Sequence, residues 1–213
     1  MESAPTFKKH IIMPNHIHGI INTVGAESIS AHFEMILTNN MNFNPKIHQR
    51  KSIRMKGFDY TQPGYYFVTI CCQNKECLFG DIINGQLMLN IAGEMIKQVW
   101  VETLTGFSNT RLQNHIIMPN HFHGIIQIVG AESISAQSGE SADIPVVIQS
   151  FKRNTTIKYI NMVKRKLLPS FNKRIWQRNY WEHIIRNEES YKVIVDYIEN
   201  NSANWLQDKL YKS

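Results

Sequence analysis

Two apolar, β-branched stretches, residues 111–118 (RLQNHIIM) and 121–129 (HFHGIIQIV), meet at the dipeptide Pro119-Asn120. Proline followed by asparagine favours a tight turn, so the pair is expected to close into a β-hairpin. A lone hairpin is marginal in water, so the domain must supply further strands and a covering layer. The flanking sequence contains them. Residues 65–72 (YYFVTICC) read as a buried strand. Residues 89–104 carry Ile91, Met95 and Val99 at steps of four, with Ala92 and Ile96 beside them, which predicts an amphipathic helix capped by Asn90. After a loop of small residues at 130–141, Asp143 is placed to cap a helix carrying Val147, Ile148, Phe151 and Tyr159. Residues 175–181 are a candidate fourth strand. Glu188 and Glu189 open a last helix, at the end where acidic side chains are favoured, running to about Asn201. The order predicts an α+β fold: a ferredoxin-like βαββαβ antiparallel sheet with helices on one face, followed by a C-terminal helix.

The hairpin sequence occurs twice. HIIMPNHIHGIINTVGAESISAH at 10–32 returns as HIIMPNHFHGIIQIVGAESISAQ at 115–137, with changes only at 17/122, 22/127, 23/128 and 32/137. Two copies do not make a solenoid, which needs several adjacent units. They read as one segment copied once. Only the second copy has a strand and helix before it and a further helix and tyrosine segment after it. Residues 1–40 are therefore expected to be a duplicated fragment outside the core, and His16 and His18 its passengers. The core is expected over 41–205, with a basic arm at 41–63 and a tail at 206–213.

The formal net charge is +6, and the cations are clustered. Between residues 152 and 186 lie Lys152, Arg153, Lys158, Lys164, Arg165, Lys166, Lys173, Arg174, Arg178 and Arg186 against the single acid Glu182. A second group is Lys46, His48, Arg50, Lys51, Arg54 and Lys56. Such one-sided runs point to a nucleic-acid partner, since a merely solvated face mixes both signs. Cys71, Cys72 and Cys77 lack zinc-type spacing and read as free thiols in a reducing cytosol. No apolar run is long enough to span a bilayer and no signal-peptide core is present, so the expected location is cytoplasmic, with no membrane partner.

Residues two apart in a strand share a face, so His121 and His123 project together while Phe122 turns away. Two adjacent imidazoles are half of a metal site. In VDYIENN (195–201), Tyr197 and Asn201 stand at i and i+4 of the last helix; the amide oxygen suits a hard divalent cation, and the phenol either reacts or packs.

The blocks HFH (121–123), WQRNYWEHIIRNEE (176–189) and VDYIENN (195–201), in this order, resemble the REP-associated tyrosine transposases, single-strand DNA transposases of the HUH superfamily. The resemblance runs from about Met41, through KSIRMKGFDY and GYYFVTICCQNKECLFG, to Trp205. It implies that His121, His123 and Asn201 hold Mg²⁺ or Mn²⁺ and that Tyr197 is the nucleophile. Tyr191 is the rival, but its i+4 neighbour is Val195, which binds no metal. Ser202 stands where the family usually has proline, which bears on how the helix stops. The implied activity is that of an endonuclease and strand transferase acting on single-stranded or hairpin DNA through a 5′-phosphotyrosine. The basic side chains Lys46, Arg50, Lys51, Arg54, Lys152, Arg153, Lys158, Lys173, Arg174 and Arg178 are the expected DNA contacts, with Trp176, Tyr180 and Trp181 available to stack on bases or to pack in the core. A catalytically inactive DNA-binding protein of the same fold is the alternative, and a zinc module using both histidine pairs a more remote one. Monomer and homodimer are both open.

Overall fold

The computed structural model describes residues 10–13, 16–19, 58–130 and 139–212. The chain divides into two compact units, Met1–Met55 and Lys56–Ser213. In the first, strands β1 (His10–Met13) and β2 (His16–Gly19) pair antiparallel, His10 opposite Gly19 and Met13 opposite His16. The basic group at 46–56 lies outside the described residues.

The second unit holds the predicted sheet. Its strands are β3 (Gly64–Cys71), β6 (Thr110–Met118), β7 (His121–Ile128) and β8 (Trp181–Ile185), in spatial order β6-β7-β3-β8 with every neighbouring pair antiparallel. Numbered along the sheet-forming strands this is 2-3-1-4, the ferredoxin-like arrangement. Around the turn, His115 lies opposite Gly124 and Met118 opposite His121. That is the register of the β1–β2 pair shifted by the repeat, so the two segments, which differ only at 17/122 across the hairpin, pair alike in both units.

Helices α1 (Ile91–Thr105) and α2 (Ile144–Lys164) pack together over one face. Asn90 caps α1 by accepting from the amides of Ala92 and Gly93, and Asp143 caps α2 by accepting from Val146. Tyr66, Val68 and Ile70 alternate inward from β3, with Cys72 just beyond its end, and Phe122 and Ile126 do so from β7. They meet Ala92, Ile96, Val99 and Trp100 of α1 and Val147, Ile148 and Phe151 of α2. Each large apolar side chain removed from water here contributes about 1.5–3 kcal/mol. Ile91, expected on the inner stripe of α1, is exposed.

Helix α3 (Glu188–Glu199) packs on the opposite face, against β6 and β8, with Ile194 and Ile198 buried. The sheet is thus sandwiched between two helices and one.

Two expectations change. The fourth strand is Trp181–Ile185 rather than 175–181. Ile175 and Trp176 turn into the helix-side core, where the Trp176 indole N–H donates to Thr155 Oγ1 at 2.8 Å. Only an isolated bridge, Cys72 to Trp176, joins this stretch to the sheet. The regular ladder opposite Tyr65–Thr69 is formed by Trp181–Ile185. The second change is an added hairpin, β4 (Gly80–Ile83) and β5 (Gln86–Leu89), absent from the predicted order. Its loop is Asn84-Gly85, with φ of 52° and 75°. Both central residues being left-handed is what a two-residue hairpin loop requires.

Among the described residues no helix is long and apolar enough to cross a membrane.

Candidate functional site

Phe122 enters the core beneath Trp100, their ring centroids 4.5 Å apart. Its neighbours His121 and His123 therefore face α3, and both are fully buried. On the adjacent strand Thr69 lies opposite His123, and its hydroxyl is 2.8 Å from His123 Nδ1. Phe67 stacks on the same imidazole, centroids 5.3 Å apart. The two histidine rings meet edge to face at 4.5 Å.

Asn120, at the hairpin turn, fixes the other ring. Its amide Nδ2 donates to the carbonyl of Leu210 at 2.7 Å, which leaves Oδ1 to face His121 Nδ1 at 2.8 Å. Nδ1 therefore carries the proton and Nε2 presents its lone pair to the site. Burial depresses both imidazoles, His121 well below the ordinary range and His123 to about 3. Both are neutral at pH 7, the form that donates a lone pair to a metal.

Helix α3 lays Tyr197 over this pair, with its hydroxyl 3.2 Å from His123 Nε2 and its ring edge-on to Phe67. Burial raises the phenol, the negative charge of Asp208 raises it further, and the Asn201 amide pulls it back. The helix stops sooner than predicted, at Glu199 with Asn200 as its cap. Asn201 follows in a turn, its backbone N–H donating to Ile198 at 3.4 Å. The side chain is nonetheless buried, and its Oδ1 has no hydrogen-bond partner.

Tyr191 is directed elsewhere. Its hydroxyl donates to Gln113 Oε1 at 3.0 Å and its ring packs edge-on against Tyr65.

Trp205, the last residue of the expected core, and Asp208, within the expected tail, both lie against the site. Trp205 is buried with its ring 5.9 Å from that of His121, and the Asp208 carboxylate reaches His121 Nε2 at 3.9 Å. One ligand atom from each of His121, His123 and Asp208 lies within 4.8 Å of the others. Sequence reasoning missed Thr69, Asn120 and Asp208. Asn120 had a signal, since a turn amide beside a candidate ligand is well placed to orient it. Asp208 had none.

The basic residues fall into two classes. Lys152 is turned inward, its ammonium donating to the carbonyls of Gln177, Arg178 and Asn179 at 3.0–3.3 Å, and burial lowers it to about 8. Lys158 pairs with Glu102 at 2.7 Å. Arg153, Lys173 and Arg178 are exposed and Arg174 half-buried. Trp176 is a core residue, whereas Tyr180 and Trp181 are half-buried. Cys71 and Cys72 are buried free thiols and Cys77 is an exposed one.

No family model matches the chain. Among solved structures, it is similar to a REP-associated tyrosine transposase bound to a REP hairpin. The identity is 20%, over 70% of this chain and 72% of that one, with a TM-score of 0.48. Among curated proteins, it is 43% identical over 183 residues to an uncharacterized protein of Haemophilus influenzae strain Rd, covering 79% of this chain and 97% of that one. The chain belongs to one family with that Haemophilus influenzae protein.

Proposed function

We propose that this protein is a divalent-cation-dependent, tyrosine-using single-strand DNA endonuclease and strand transferase, a transposase of the HUH superfamily. The observation that carries the reading is the Tyr197 hydroxyl 3.2 Å from His123 Nε2, over a pair of neutral histidines. The sequence blocks that resemble the REP-associated tyrosine transposases supply these same residues.

The donor set fits Mg²⁺ or Mn²⁺. His121 Nε2 and Asn201 Oδ1 are buried without hydrogen-bond partners, and buried polar atoms are rarely left so. His121, His123 and Asn201 would hold the ion. When bound, it withdraws charge from a non-bridging phosphate oxygen and offsets the negative charge that grows during attack.

Tyr197 supplies the nucleophile. As a buried phenol with a raised pKa beside Asp208 it is protonated at pH 7 and weakly reactive, so its attack requires the proton to leave. The phenolic oxygen then forms a bond to phosphorus as the bond to the 3′ oxygen breaks. The phenol loses one proton and the 3′ oxygen gains one. The products are a 5′-phosphotyrosine and a free 3′-OH. The phosphodiester energy stays in the covalent link, so the 3′-OH of a second strand reverses the step and joins DNA without a nucleotide cofactor. Arg153, Lys173, Arg174 and Arg178, together with Lys46, Arg50, Lys51 and Arg54 of the arm, bind the backbone of single-stranded or hairpin DNA.

The test is covalent capture. Wild-type protein with Mg²⁺ and a labelled single strand from around its own gene should retain the label on denaturing gels only when the label lies 3′ of the cut. Tyr197→Phe keeps the ring and should give no adduct, while Tyr191→Phe still gives one. An adduct that persists in Tyr197→Phe and vanishes in Tyr191→Phe sinks the assignment. No adduct from wild type on any strand tried favours the inactive binder.

A further inference from the structure

The ligands named from sequence end at Asn201, before the C-terminal segment begins. We propose that Asp208 is a further ligand of the divalent cation, so that the metal site is completed by the segment that follows the tyrosine helix. This rests on the reading above, in that the histidine pair is taken to hold the ion.

Geometry is the first support. Asp208 Oδ2 lies 3.9 Å from His121 Nε2, its side chain is only 4% exposed, and one ligand atom from each of His121, His123 and Asp208 falls within 4.8 Å of the others. Ligand atoms about 2.1 Å from a six-coordinate Mg²⁺-like ion stand about 3–4 Å apart. The three groups need to close by less than about 1 Å to share one ion.

Unmet polarity is the second. Asp208 Oδ2, His121 Nε2 and Asn201 Oδ1 are all buried without hydrogen-bond partners. The Asn120 contact fixes the His121 proton on Nδ1, so all three are lone-pair donors. Buried acceptor atoms are rarely left without a donor or a cation, although the other carboxylate oxygen of Asp208 is satisfied. One cation satisfies all three. The carboxylate also contributes the negative charge that two imidazoles and an amide lack.

Anchoring is the third. Asp208 Oδ1 is occupied by the Leu210 amide at 2.7 Å, which turns Oδ2 toward the histidines. The segment is held by Asn120 through the Leu210 carbonyl and by Lys75 Nζ, which donates to the Lys209 carbonyl at 2.7 Å. Asn120 thus orients His121 and tethers the Asp208 segment with one amide. The acid is built in.

Mn²⁺ titration by calorimetry on the full chain tests this, with metal-free thermal melting as a check on folding. Asp208→Asn keeps the shape and removes the charge. It should weaken Mn²⁺ at least tenfold and leave metal-free melting unchanged or raised, because Oδ1 still accepts from Leu210 and the buried charge at the unpartnered Oδ2 is gone. Asn201→Ala and His121→Ala should weaken Mn²⁺ independently. If Asp208→Asn folds poorly, the wild type still decides: Mn²⁺ should broaden the carbon-13 signal of the Asp208 carboxyl, and a signal left sharp at saturating Mn²⁺ overturns the proposal. Equal Mn²⁺ affinity in wild type and Asp208→Asn, with loss in His121→Ala, overturns Asp208 as a ligand and leaves the functional reading standing. A wild type that binds no Mn²⁺ overturns both.

Discussion

His123 shows how one buried side chain can couple the site to the stability of the whole fold. Its imidazole is fully buried, and burial holds its folded pKa near 3, against 6.5 for an ordinary histidine. Between those values the unfolded chain takes up a proton that the folded chain refuses, so stability falls as pH falls through this window. The slope is about 1.4 kcal/mol per pH unit, or about 2 kcal/mol between pH 6.5 and 5. His121, shifted the same way, adds to the loss. Asp208 acts in the opposite sense, because burial raises its carboxyl. The clean readout is therefore the difference between wild type and His123→Gln in urea denaturation of metal-free protein. His123→Gln should flatten the pH dependence from 7 to 5. Parallel curves would mean that His123 is not held neutral in the fold.

At the scale of elements, alternation in β7 separates core from chemistry. Phe122 and Ile126 enter the helix-side core, while His121 and His123 face α3. Gly124 makes the core side fit: a Cβ there would stand 2.7 Å from the Phe122 ring and 3.0 Å from Trp100. Gly124→Ala should therefore cost about 1–3 kcal/mol by overpacking, seen as a lower urea midpoint at unchanged slope. Gly130→Ala, whose Cβ would meet only Pro63 Cγ at 3.3 Å, should cost less. An unchanged midpoint in Gly124→Ala would mean that Trp100 does not seat against this strand. Elements with a clear period or a cap were legible in sequence: both caps, the first three sheet strands and the side on which the histidines face. The β4–β5 hairpin carried an Asn-Gly signal that four-residue strands made easy to pass over. The fourth strand was misplaced because Ile175 and Trp176 are apolar for the helix layer, and composition does not say which layer claims a residue. Asp208 was illegible for a deeper reason. Its role comes from a chain reversal held by Asn120 and Lys75, contacts between positions about 90 and 134 apart in sequence.

For the whole molecule, the two units give the duplication a test. All residues assigned to the reaction lie in the unit Lys56–Ser213, which contains the entire four-stranded sheet and its three helices. The second hairpin copy is stabilised there by β3 and by two helices packed over its core face. A chain beginning at Met41 should therefore melt with the same midpoint as the second unit of the full protein. It should keep its Mn²⁺ affinity and any adduct formation. Loss of folding or activity in that truncation would show that the first copy is more than a passenger. A further cut to Lys56 removes Lys46, Arg50, Lys51 and Arg54, which the resemblance assigns to DNA. This step should separate binding from chemistry. If all four cations neutralise phosphates on a single strand, the slope of log affinity against log salt should fall by about 3, since each contact contributes about 0.7. Mn²⁺ affinity should stay constant, because no donor in the site has been removed. Affinity measured by fluorescence anisotropy from low to moderate salt reads the slope, and a slope unchanged between the two truncations would remove the arm from the DNA-binding surface.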